Sequence, residues 1–354
     1  MARIASVATA LPEHSYPQGE ITDVIAPMVT ADRSKQAVLR RLHGSSHIDT
    51  RHLVMPIDRY RDATTFTESN GRFITVAADL LEEALRDALH TSGLTPQDVD
   101  YIMFTSVTGI AAPSIDALLV SRLGMRADVK RVPMYGLGCV AGAAGIARVN
   151  DYLVGHPQDV AVLLAVELCS LTFQPGDDSM ANLVATGLFG DGAAAVVMVG
   201  DERAERMSAP GPDVVDSRSQ LYPDTEEVIG FNPSETGFRI VLTAKVSEVI
   251  ERNFGGDVGA FLFTNGLDLD DIGTWIAHPG GPKVLESFHS SLELADGTLD
   301  NSWRSLAQVG NLSSVSVLHI LASELTTPKK SGEYGLLFAL GPGVSAELVL
   351  LRWA

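Results

Sequence analysis

The sequence of 354 residues contains only two cysteines, Cys139 and Cys169. Two thiols cannot form a disulfide scaffold, and no group of cysteines and histidines has the spacing of a structural zinc site. We therefore expect no bound metal, which leaves a reactive thiol as one use of a cysteine. Gly-x-Gly patterns such as Gly190-Asp191-Gly192 lack the strand, helix and downstream acid of a dinucleotide fingerprint, so no nicotinamide cofactor is expected.

Positive charge and long apolar runs are also scarce. The chain has 26 Lys and Arg against 44 Asp and Glu, a formal net charge of −18, which argues against nucleic-acid binding. An anionic ligand would need a local basic patch. Apolar runs such as residues 160–166 are too short to span a membrane, and residues 1–7 resemble a short strand rather than a signal peptide. We expect a cytoplasmic protein that binds neither nucleic acid nor membrane.

The chain has enough apolar residues, 45% against 20% charged, to bury a large core. Helical spacing of apolar positions predicts an amphipathic helix over 74–90. Apolar runs without strict alternation are typical of strands covered on both faces. They occur at 101–106, 160–166, 193–199, 345–351 and directly before His278. These elements predict an α/β fold, and the polar stretch 200–223 indicates a boundary between two halves, 1–205 and 206–354.

Similar motifs occur at equivalent positions in the two halves. Leu94 leads into a predicted strand through Thr-Pro-Gln-Asp-Val, and Leu267 leads into another through Asp-Leu-Asp-Asp-Ile. Gly138-Cys139 and Gly310-Asn311 each precede a helix of small residues. The distance along the chain from Gly138 to Gly310 is almost the same as that from Leu94 to Leu267. Such a repeat indicates a duplicated α/β unit whose equivalent points face each other across a pseudo-twofold axis. Cys139, Asn311 and His278 are therefore expected to meet.

Cys139 has the features of a nucleophile. At the start of a helix, unpaired N–H groups and the helix dipole favour negative charge, which predicts a pKa below the value of about 8.5 for a free thiol. Gly136 and Gly138 suit a sharp strand-to-helix turn that presents a side chain. Cys169 lacks these features and is assigned to the wall of the site. Because buried cysteines are common in cores, a structural role for Cys139 remains the alternative.

His278 and Asn311 are the candidate partners of this thiol. His278 ends a predicted strand and precedes Pro279-Gly-Gly-Pro282, where open α/β folds build their sites. An imidazole there can pair with a thiolate or donate to an oxyanion. Five other histidines are expected on the surface or in turns: His14, His43, His90, His156 and His289. Asn311 can donate an N–H without titrating, and its alternative role is a simple helix N-cap.

Five motifs follow one another along the chain: Tyr135-Gly-Leu-Gly-Cys139-Val-Ala-Gly142, Leu188-Phe-Gly-Asp-Gly-Ala-Ala194, Trp275-Ile-Ala-His278-Pro-Gly-Gly-Pro282, Gly310-Asn311-Leu-Ser-Ser314 and Gly341-Pro-Gly343. Together they resemble the type III polyketide synthases, the chalcone synthase-like branch of the thiolase-fold condensing enzymes. The resemblance covers nearly the whole chain. It implies a thiolase-like, layered αβαβα fold built from two duplicated halves, the first carrying the cysteine and the second carrying the histidine and asparagine. It also implies a homodimer.

The resemblance implies that Cys139 takes an acyl group from an acyl-CoA starter as a thioester. His278 and Asn311 would then orient malonyl-CoA and stabilise the enolate left by its decarboxylation. Claisen condensation extends the chain, which cyclises to a phenolic or pyrone product, and coenzyme A thioesters are the only cosubstrates implied. Phe189 matches the gate between the CoA tunnel and the cavity. The positions that match the cavity wall are Val107, Thr108, Cys169, Thr172, Phe231, Ile240 and Ser313.

Two cavity positions depart from the plant pattern. Ile240 stands where a second gatekeeping phenylalanine is usual, and Phe231 stands where plant enzymes carry glycine. Because cavity shape controls chain length and cyclisation, a malonyl or aliphatic acyl starter is expected rather than a cinnamoyl one. For CoA, Arg41 matches a basic residue of the tunnel mouth and Lys283 is a second candidate, although a solvated helix face would also explain Arg41. Arg51 is expected to support the fold.

Three other functions are compatible with parts of this pattern. A ketoacyl-carrier-protein synthase III-like condensing enzyme also uses Cys, His and Asn on a thiolase fold, but would need a carrier protein. A non-catalytic acyl-CoA-binding homologue would form no covalent adduct on Cys139. A cysteine hydrolase would release free acid without condensation.

Overall fold

The computed structural model describes residues 1–62 and 65–354. The strands are β1 (Arg3–Ala10), β2 (His14–Pro17), β3 (Thr50–Leu53), β4 (Tyr101–Thr105), β5 (Lys130–Met134), β6 (Val160–Leu168), β7 (Asp191–Val199), β8 (Pro212–Leu221), β9 (Ile229–Ser234), β10 (Gly237–Leu242), β11 (Ile272–Ala277), β12 (Tyr334–Gly341) and β13 (Ser345–Trp353). The helices are α1 (Gln18–Val29), α2 (Arg33–Gly44), α3 (Phe66–Thr91), α4 (Ile115–Leu123), α5 (Ala141–Val154), α6 (Met180–Ala185), α7 (Asp201–Met207), α8 (Lys245–Val249), α9 (Gly255–Thr264), α10 (Pro282–Ser291), α11 (Asp300–Val309) and α12 (Ser316–Leu325).

The main sheet has the strand order β11-β12-β13-β8-β1-β7-β6-β4-β5. Each half builds the same arrangement within it. In the first half, β7 pairs antiparallel with β1 and β6, and β4 runs parallel to β6. In the second half, β13 pairs antiparallel with β8 and β12, and β11 runs parallel to β12. The halves join where Arg3 of β1 pairs with Asp213 of β8. This repeat confirms the duplicated α/β architecture expected from the sequence.

The turns that precede β4 and β11 also match. Before β4, the main-chain N–H of Thr95 donates to the Asp98 carboxylate at 2.9 Å. Before β11, the N–H of Asp268 donates to the Asp271 carboxylate at 2.9 Å. An acidic side chain three residues into each turn satisfies a main-chain donor that would otherwise be unpaired. The local sequence similarity therefore reflects one turn structure used twice.

Alternate residues of the central strands face different cores, which is why these strands read as unbroken apolar runs. In β6, Val162 and Leu164 pack with α3 and α4, whereas Ala161 and Leu163 face the layer formed by α5 and α12. In the second half, Phe338 of β12 packs on the opposite side, with the helices α9, α10 and α11. The result is an αβαβα arrangement, with α5 and α12 between the two halves.

The elements differ from expectation mainly at their ends. The helix predicted over 74–90 spans Phe66–Thr91, because Thr65 and Glu68 form a capping box that lets it begin earlier. The helix after Asn311 begins with a short 3-10 turn at Ser313–Val315 before α12. The proposed boundary at 205/206 falls inside α7, and the second half of the sheet begins with β8.

A smaller unit formed by α1, α2, β2 and β3 packs beside the first half around its own apolar cluster, which includes Ile21, Ile25 and Leu39. It forms one wall of the cavity described below. Among residues 1–62 and 65–354, the helices are all too short or too polar to cross a membrane.

Candidate active site

Cys139 lies in a 3-10 turn, Gly138–Val140, which connects β5 to α5. Gly138 has φ +55°, a conformation that favours glycine, and a Cβ there would lie 2.8 Å from a ring carbon of Pro342. A Cβ on Gly341 would lie 2.5 Å from the Leu137 carbonyl oxygen. The Gly341-Pro342-Gly343 motif therefore packs directly on the turn that presents the thiol. Both motifs need glycine because two main chains approach closely.

Asn311 occupies the equivalent turn of the second half. It follows Gly310, which has φ +73°, and its main chain is bound to the segment that precedes β7. The N–H of Asn311 donates to the Leu188 carbonyl at 2.9 Å, and its own carbonyl accepts from the Gly190 N–H at 3.0 Å. Its side-chain oxygen accepts the Ser313 N–H at 2.7 Å, so it also caps the turn before α12. The helix-cap role and a position in the site are therefore compatible.

A chain of direct contacts connects the thiol to the second half. Cys139 Sγ lies 3.6 Å from Ser313 Oγ, and Ser313 N lies 2.7 Å from Asn311 Oδ1. Asn311 Nδ2 donates to the carbonyl of Gly280 at 3.2 Å, and the Gly280 N–H donates to the carbonyl of His278 at 3.0 Å. The structure thus brings Cys139, Asn311 and the loop that carries His278 into one continuous cluster.

The two helices behind these turns make that approach possible. A Cβ on Gly142 of α5 would lie 2.2 Å from the carbonyl oxygen of Ser314 and 2.8 Å from Val317 Cγ1. No ordinary side chain fits in this space, so the start of α5 packs main chain to main chain against the start of α12. This contact sets the separation of the two turns.

The protonation states differ from the expectation for Cys139. Burial raises the pKa of Cys139 to about 12, and the Glu167 carboxyl adds to this shift, while the hydrogen bond with Ser313 lowers it. The expected pKa below that of a free thiol is therefore wrong for this arrangement, because desolvation exceeds the effect of the helix start. Burial also lowers the pKa of His278 to about 3. A neutral thiol and a neutral imidazole follow at neutral pH.

His278 is only 2% exposed, and it lies at the end of β11 with its main-chain N–H bound to the carbonyl of Phe338 at 2.9 Å. Its Nδ1 is buried and has no hydrogen-bond partner within the described part of the chain. A buried polar atom without a partner is uncommon in folded proteins. This nitrogen is therefore free to bond to a molecule in the site.

Glu167 is a buried carboxyl group that the sequence reasoning did not single out. It ends β6 and accepts hydrogen bonds from both halves: from Ser314 Oγ at 2.7 Å, from Thr108 Oγ1 at 3.1 Å and from the Val107 N–H at 3.1 Å. Burial raises its pKa in spite of these donors. The sequence feature that indicates this group is an acidic residue within the otherwise apolar run 160–168.

A cavity opens beside Cys139. Most of the expected wall residues line it: Thr108, Cys169, Thr172, Phe189, Phe231, Ile240 and Ser313. Val107 does not, since its contribution is the main-chain N–H that holds Glu167. Additional lining comes from the amino-terminal unit and from β10: Ile21, Ile25, Leu53, Tyr60 and Phe238. The cavity is mainly apolar, with hydroxyl groups near the thiol.

The candidate CoA residues lie outside this cavity. Arg41 is exposed on the last turn of α2, and Lys283 is exposed on the first turn of α10. Neither forms an ion pair with any residue in 1–62 or 65–354. His43, expected on the surface, is instead 2% exposed, because its ring packs on Gly187 and its Nδ1 bonds to Thr22 Oγ1 at 2.8 Å.

Comparisons with known proteins agree with this geometry. Residues 1–202 match the model of the N-terminal domain of chalcone and stilbene synthases, and residues 213–354 match the model of the C-terminal domain. The chain is 54% identical to a 1,3,6,8-tetrahydroxynaphthalene synthase of Streptomyces peucetius, over 99% of this chain and 93% of that protein. It is 30% identical to an alpha-pyrone synthesis polyketide synthase-like protein of Mycobacterium tuberculosis, over 99% of this chain and 91% of the other.

A solved structure shows the same fold. The 1,3,6,8-tetrahydroxynaphthalene synthase of Streptomyces coelicolor, a bacterial type III polyketide synthase, superimposes with a TM-score of 0.93 at 30% identity, over 99% of each chain. The similarity extends from end to end, so it includes both turns and the cavity between them.

Proposed function

The chain belongs to the chalcone and stilbene synthase family and is a type III polyketide synthase, a decarboxylating condensing acyltransferase; on this premise, we propose that it condenses malonyl-CoA units on Cys139 to a polyhydroxylated naphthalene. The observation that carries the proposal is the contact chain from Cys139 and Ser313, which both line a largely apolar cavity, to Asn311 behind them. A nucleophile, an oxyanion donor and space for a growing chain are the three requirements of the reaction.

Loading is the first step. The thiol proton of Cys139 passes to the neutral imidazole of His278 as the sulfur attacks the thioester carbonyl of the starter. The C–S bond to coenzyme A breaks, and the leaving thiolate takes up the proton. Because burial favours the neutral forms of both groups, the proton is proposed to move as the sulfur attacks, without a thiolate–imidazolium pair forming beforehand.

Decarboxylation and condensation follow. Loss of carbon dioxide from malonyl-CoA leaves an enolate, whose oxygen accepts hydrogen bonds from the Asn311 carboxamide and the imidazole N–H of His278. A preorganised donor that never titrates suits a charge that forms and disappears in each cycle. The enolate carbon then attacks the Cys139 thioester, a carbon–carbon bond forms, and the cysteine is released for the next cycle.

The naphthalene product is proposed from the relative with 54% identity, whose name specifies 1,3,6,8-tetrahydroxynaphthalene. Ten ring carbons with oxygen on alternate positions correspond to five two-carbon units, all of which malonyl-CoA can supply. The cavity supports a compact aromatic product, since Phe231 and Phe238 narrow it, with ring centroids 6.3 Å apart. Phe189, which lines the cavity and whose main chain pairs with Asn311, is proposed as the gate for the CoA-bound substrates.

Several finer assignments are part of the same proposal. Arg41 and Lys283 are exposed cations without ion-pair partners among the described residues, which leaves them available to the phosphates of CoA. We also propose a homodimer, a cytoplasmic location, no cofactor beyond the CoA thioesters, and a division into halves at 205/206.

The test is incubation of the purified protein with malonyl-CoA alone, without a carrier protein. Mass spectrometry is expected to show a tetrahydroxynaphthalene or its oxidation product, and intact-protein mass is expected to show an acyl adduct that Cys139→Ala removes. A panel of aliphatic acyl-CoA starters run in parallel distinguishes the runner-up, in which a pyrone forms only when such a starter is present. Consumption of malonyl-CoA without any carbon–carbon bond formation would contradict both.

A further inference from the structure

The gate segment, residues 187–190, connects α6 to β7 and carries Phe189. Three consecutive carbonyls in it are each held by a donor from elsewhere in the chain: Gly187 O by Gln18 Nε2 at 2.8 Å, Leu188 O by Asn311 N at 2.9 Å, and Phe189 O by Arg51 Nη1 at 2.7 Å. Gly187, Leu188 and Gly190 are buried, so these carbonyls need partners within the protein, and the partners come from outside the segment. Here the main chain of the gate is fixed from two sides.

Gln18 and Arg51 act as one unit. Arg51 Nε donates to Gln18 Oε1 at 2.9 Å. Both residues are buried, with Arg51 3% exposed and Gln18 7% exposed. The unit therefore joins α1 and β3 of the amino-terminal unit to the gate segment. The Gln18 carboxamide bonds through both its oxygen and its nitrogen, and the Arg51 guanidinium bonds through both Nε and Nη1. A change in either side chain therefore alters the orientation of the other.

Arg51 is an unusual choice for a purely structural position. It forms no ion pair among residues 1–62 and 65–354, and its Nη2 is buried without a partner. Burial lowers its pKa to about 10, so it stays a cation at neutral pH. A buried cation is costly to desolvate, and the Asp191 carboxyl compensates only part of that cost, since the net shift of the Arg51 pKa is downward. Its presence here points to a requirement for the two directed N–H bonds.

The same side chain reaches the turn that presents Asn311. A Cβ on Gly310 would lie 3.1 Å from both Cγ and Cδ of Arg51 and 2.8 Å from the carbonyl oxygen of Leu188. The methylenes of Arg51 therefore pack on Gly310 while its guanidinium holds Phe189. One side chain therefore contacts both the gate segment and the turn that presents Asn311.

We propose that Arg51 and Gln18 are positioning residues that hold the gate segment by its carbonyls and thereby couple the placement of Phe189 to that of Asn311. The proposal rests on the roles proposed above for Phe189 and Asn311. It implies that the gate opens by rotation of the Phe189 side chain about a fixed main chain, rather than by movement of the segment. It also implies that the orientation of the Asn311 carboxamide changes whenever the segment moves.

Two variants each disrupt a different hydrogen bond to the gate segment. Arg51→Lys keeps the positive charge but cannot bond to Gln18 and Phe189 in the same geometry. Gln18→Glu keeps an acceptor for Arg51 but has no N–H for the Gly187 carbonyl. Arg3→Lys is the matched control, because the Arg3 guanidinium also donates to a main-chain carbonyl, that of Ala209 at 3.3 Å, away from the cavity.

Two readouts are measured on the full-length protein with malonyl-CoA. The first is amide hydrogen exchange of the peptide that contains residues 187–190. The second is the ratio of malonyl-CoA decarboxylation to condensation, which a merely destabilised protein would not change. In both variants, faster exchange and a shift of this ratio by about tenfold are expected, in line with the loss of one buried hydrogen bond.

Unchanged exchange in both variants would overturn the proposal, and so would faster exchange with an unchanged ratio. Equal changes in Arg3→Lys would also overturn it, because they would show a general loss of stability. If the wild-type protein yields neither adduct nor product, the proposed function fails, while the exchange data still decide whether Arg51 and Gln18 hold the segment.

Discussion

The close approach of α5 and α12 leads to a sharp prediction for Gly142→Ala. The added Cβ would lie 2.2 Å from the Ser314 carbonyl oxygen, far inside the 3.4 Å at which ordinary van der Waals contact begins. Main chain cannot rotate away as a side chain can, so one or both helices must shift. Because Cys139 and Ser313 stand at the ends of these helices, their 3.6 Å contact must lengthen.

The expected size of the effect can be worked out from that overlap. Overpacking a core typically costs about 1–3 kcal/mol, partly offset by the roughly 1 kcal/mol by which alanine favours a helix over glycine. The fold should therefore survive. A displacement of about 1 Å at reacting groups can reduce a rate by about 10²-fold. We expect a folded enzyme whose condensation rate falls by about that factor.

Gly145→Ala, one turn further along α5, is the matched control. A Cβ there would lie 2.5 Å from Cδ1 of Leu163, the far end of a side chain that can adjust. Thermal unfolding and the rate of product formation from malonyl-CoA are measured for both variants. A similar loss of stability is expected in the two, with activity lost mainly in Gly142→Ala. Normal turnover by folded Gly142→Ala, or equal inactivation by Gly145→Ala, would refute the reasoning.

Three further predictions concern the thiol, its partners and the cavity. Cys139→Ala should abolish the acyl adduct seen by intact mass, whereas Asn311→Ala should mainly suppress malonyl decarboxylation; decarboxylation equal to wild type would contradict the role given to Asn311. Ser313→Ala removes the hydrogen bond that lowers the pKa of Cys139, so iodoacetamide should alkylate Cys139 more slowly at pH 8, and in both proteins the rate should rise with pH because the thiolate is the reactive form. Both serine hydroxyls donate to Glu167, but only that of Ser313 also bonds to Cys139, so Ser314→Ala is the control, and equal slowing in both would argue against a specific effect. Phe231→Gly should enlarge the cavity and lengthen the products or admit bulkier starters, and an unchanged product profile by mass spectrometry would exclude Phe231 as a determinant of cavity size.

The core elements were predictable because they depend on local chemistry. The apolar run at 160–166 became β6 since both of its faces are covered, and the acidic turns at Asp98 and Asp271 recur because each satisfies a main-chain donor. The nearly constant spacing between equivalent motifs of the two halves also predicted the duplication. Element ends were less certain, as in α3, where the capping box at Thr65 extends the helix beyond its apolar stripe.

The candidate site was predictable in composition but not in its electrostatics. A helix start indicates a low thiol pKa, yet the depth at which Cys139 is buried reverses the direction of the shift. Depth depends on how Pro342 and Ser313 close over the turn, and both come from distant parts of the chain. The same applies to His43, whose burial follows from the glycine that it packs against.

The sequence by itself determined which residues carry chemistry and where each sits in its own turn, since glycine-bearing turns and apolar strands follow from neighbouring residues. Only the tertiary structure decided which groups share a neighbour. Glu167 gathers donors from both halves, and Arg51 touches the gate segment and the Asn311 turn together. Such contacts depend on how closely the main chains of the two halves pack against each other. No local sequence pattern specifies the distance between them.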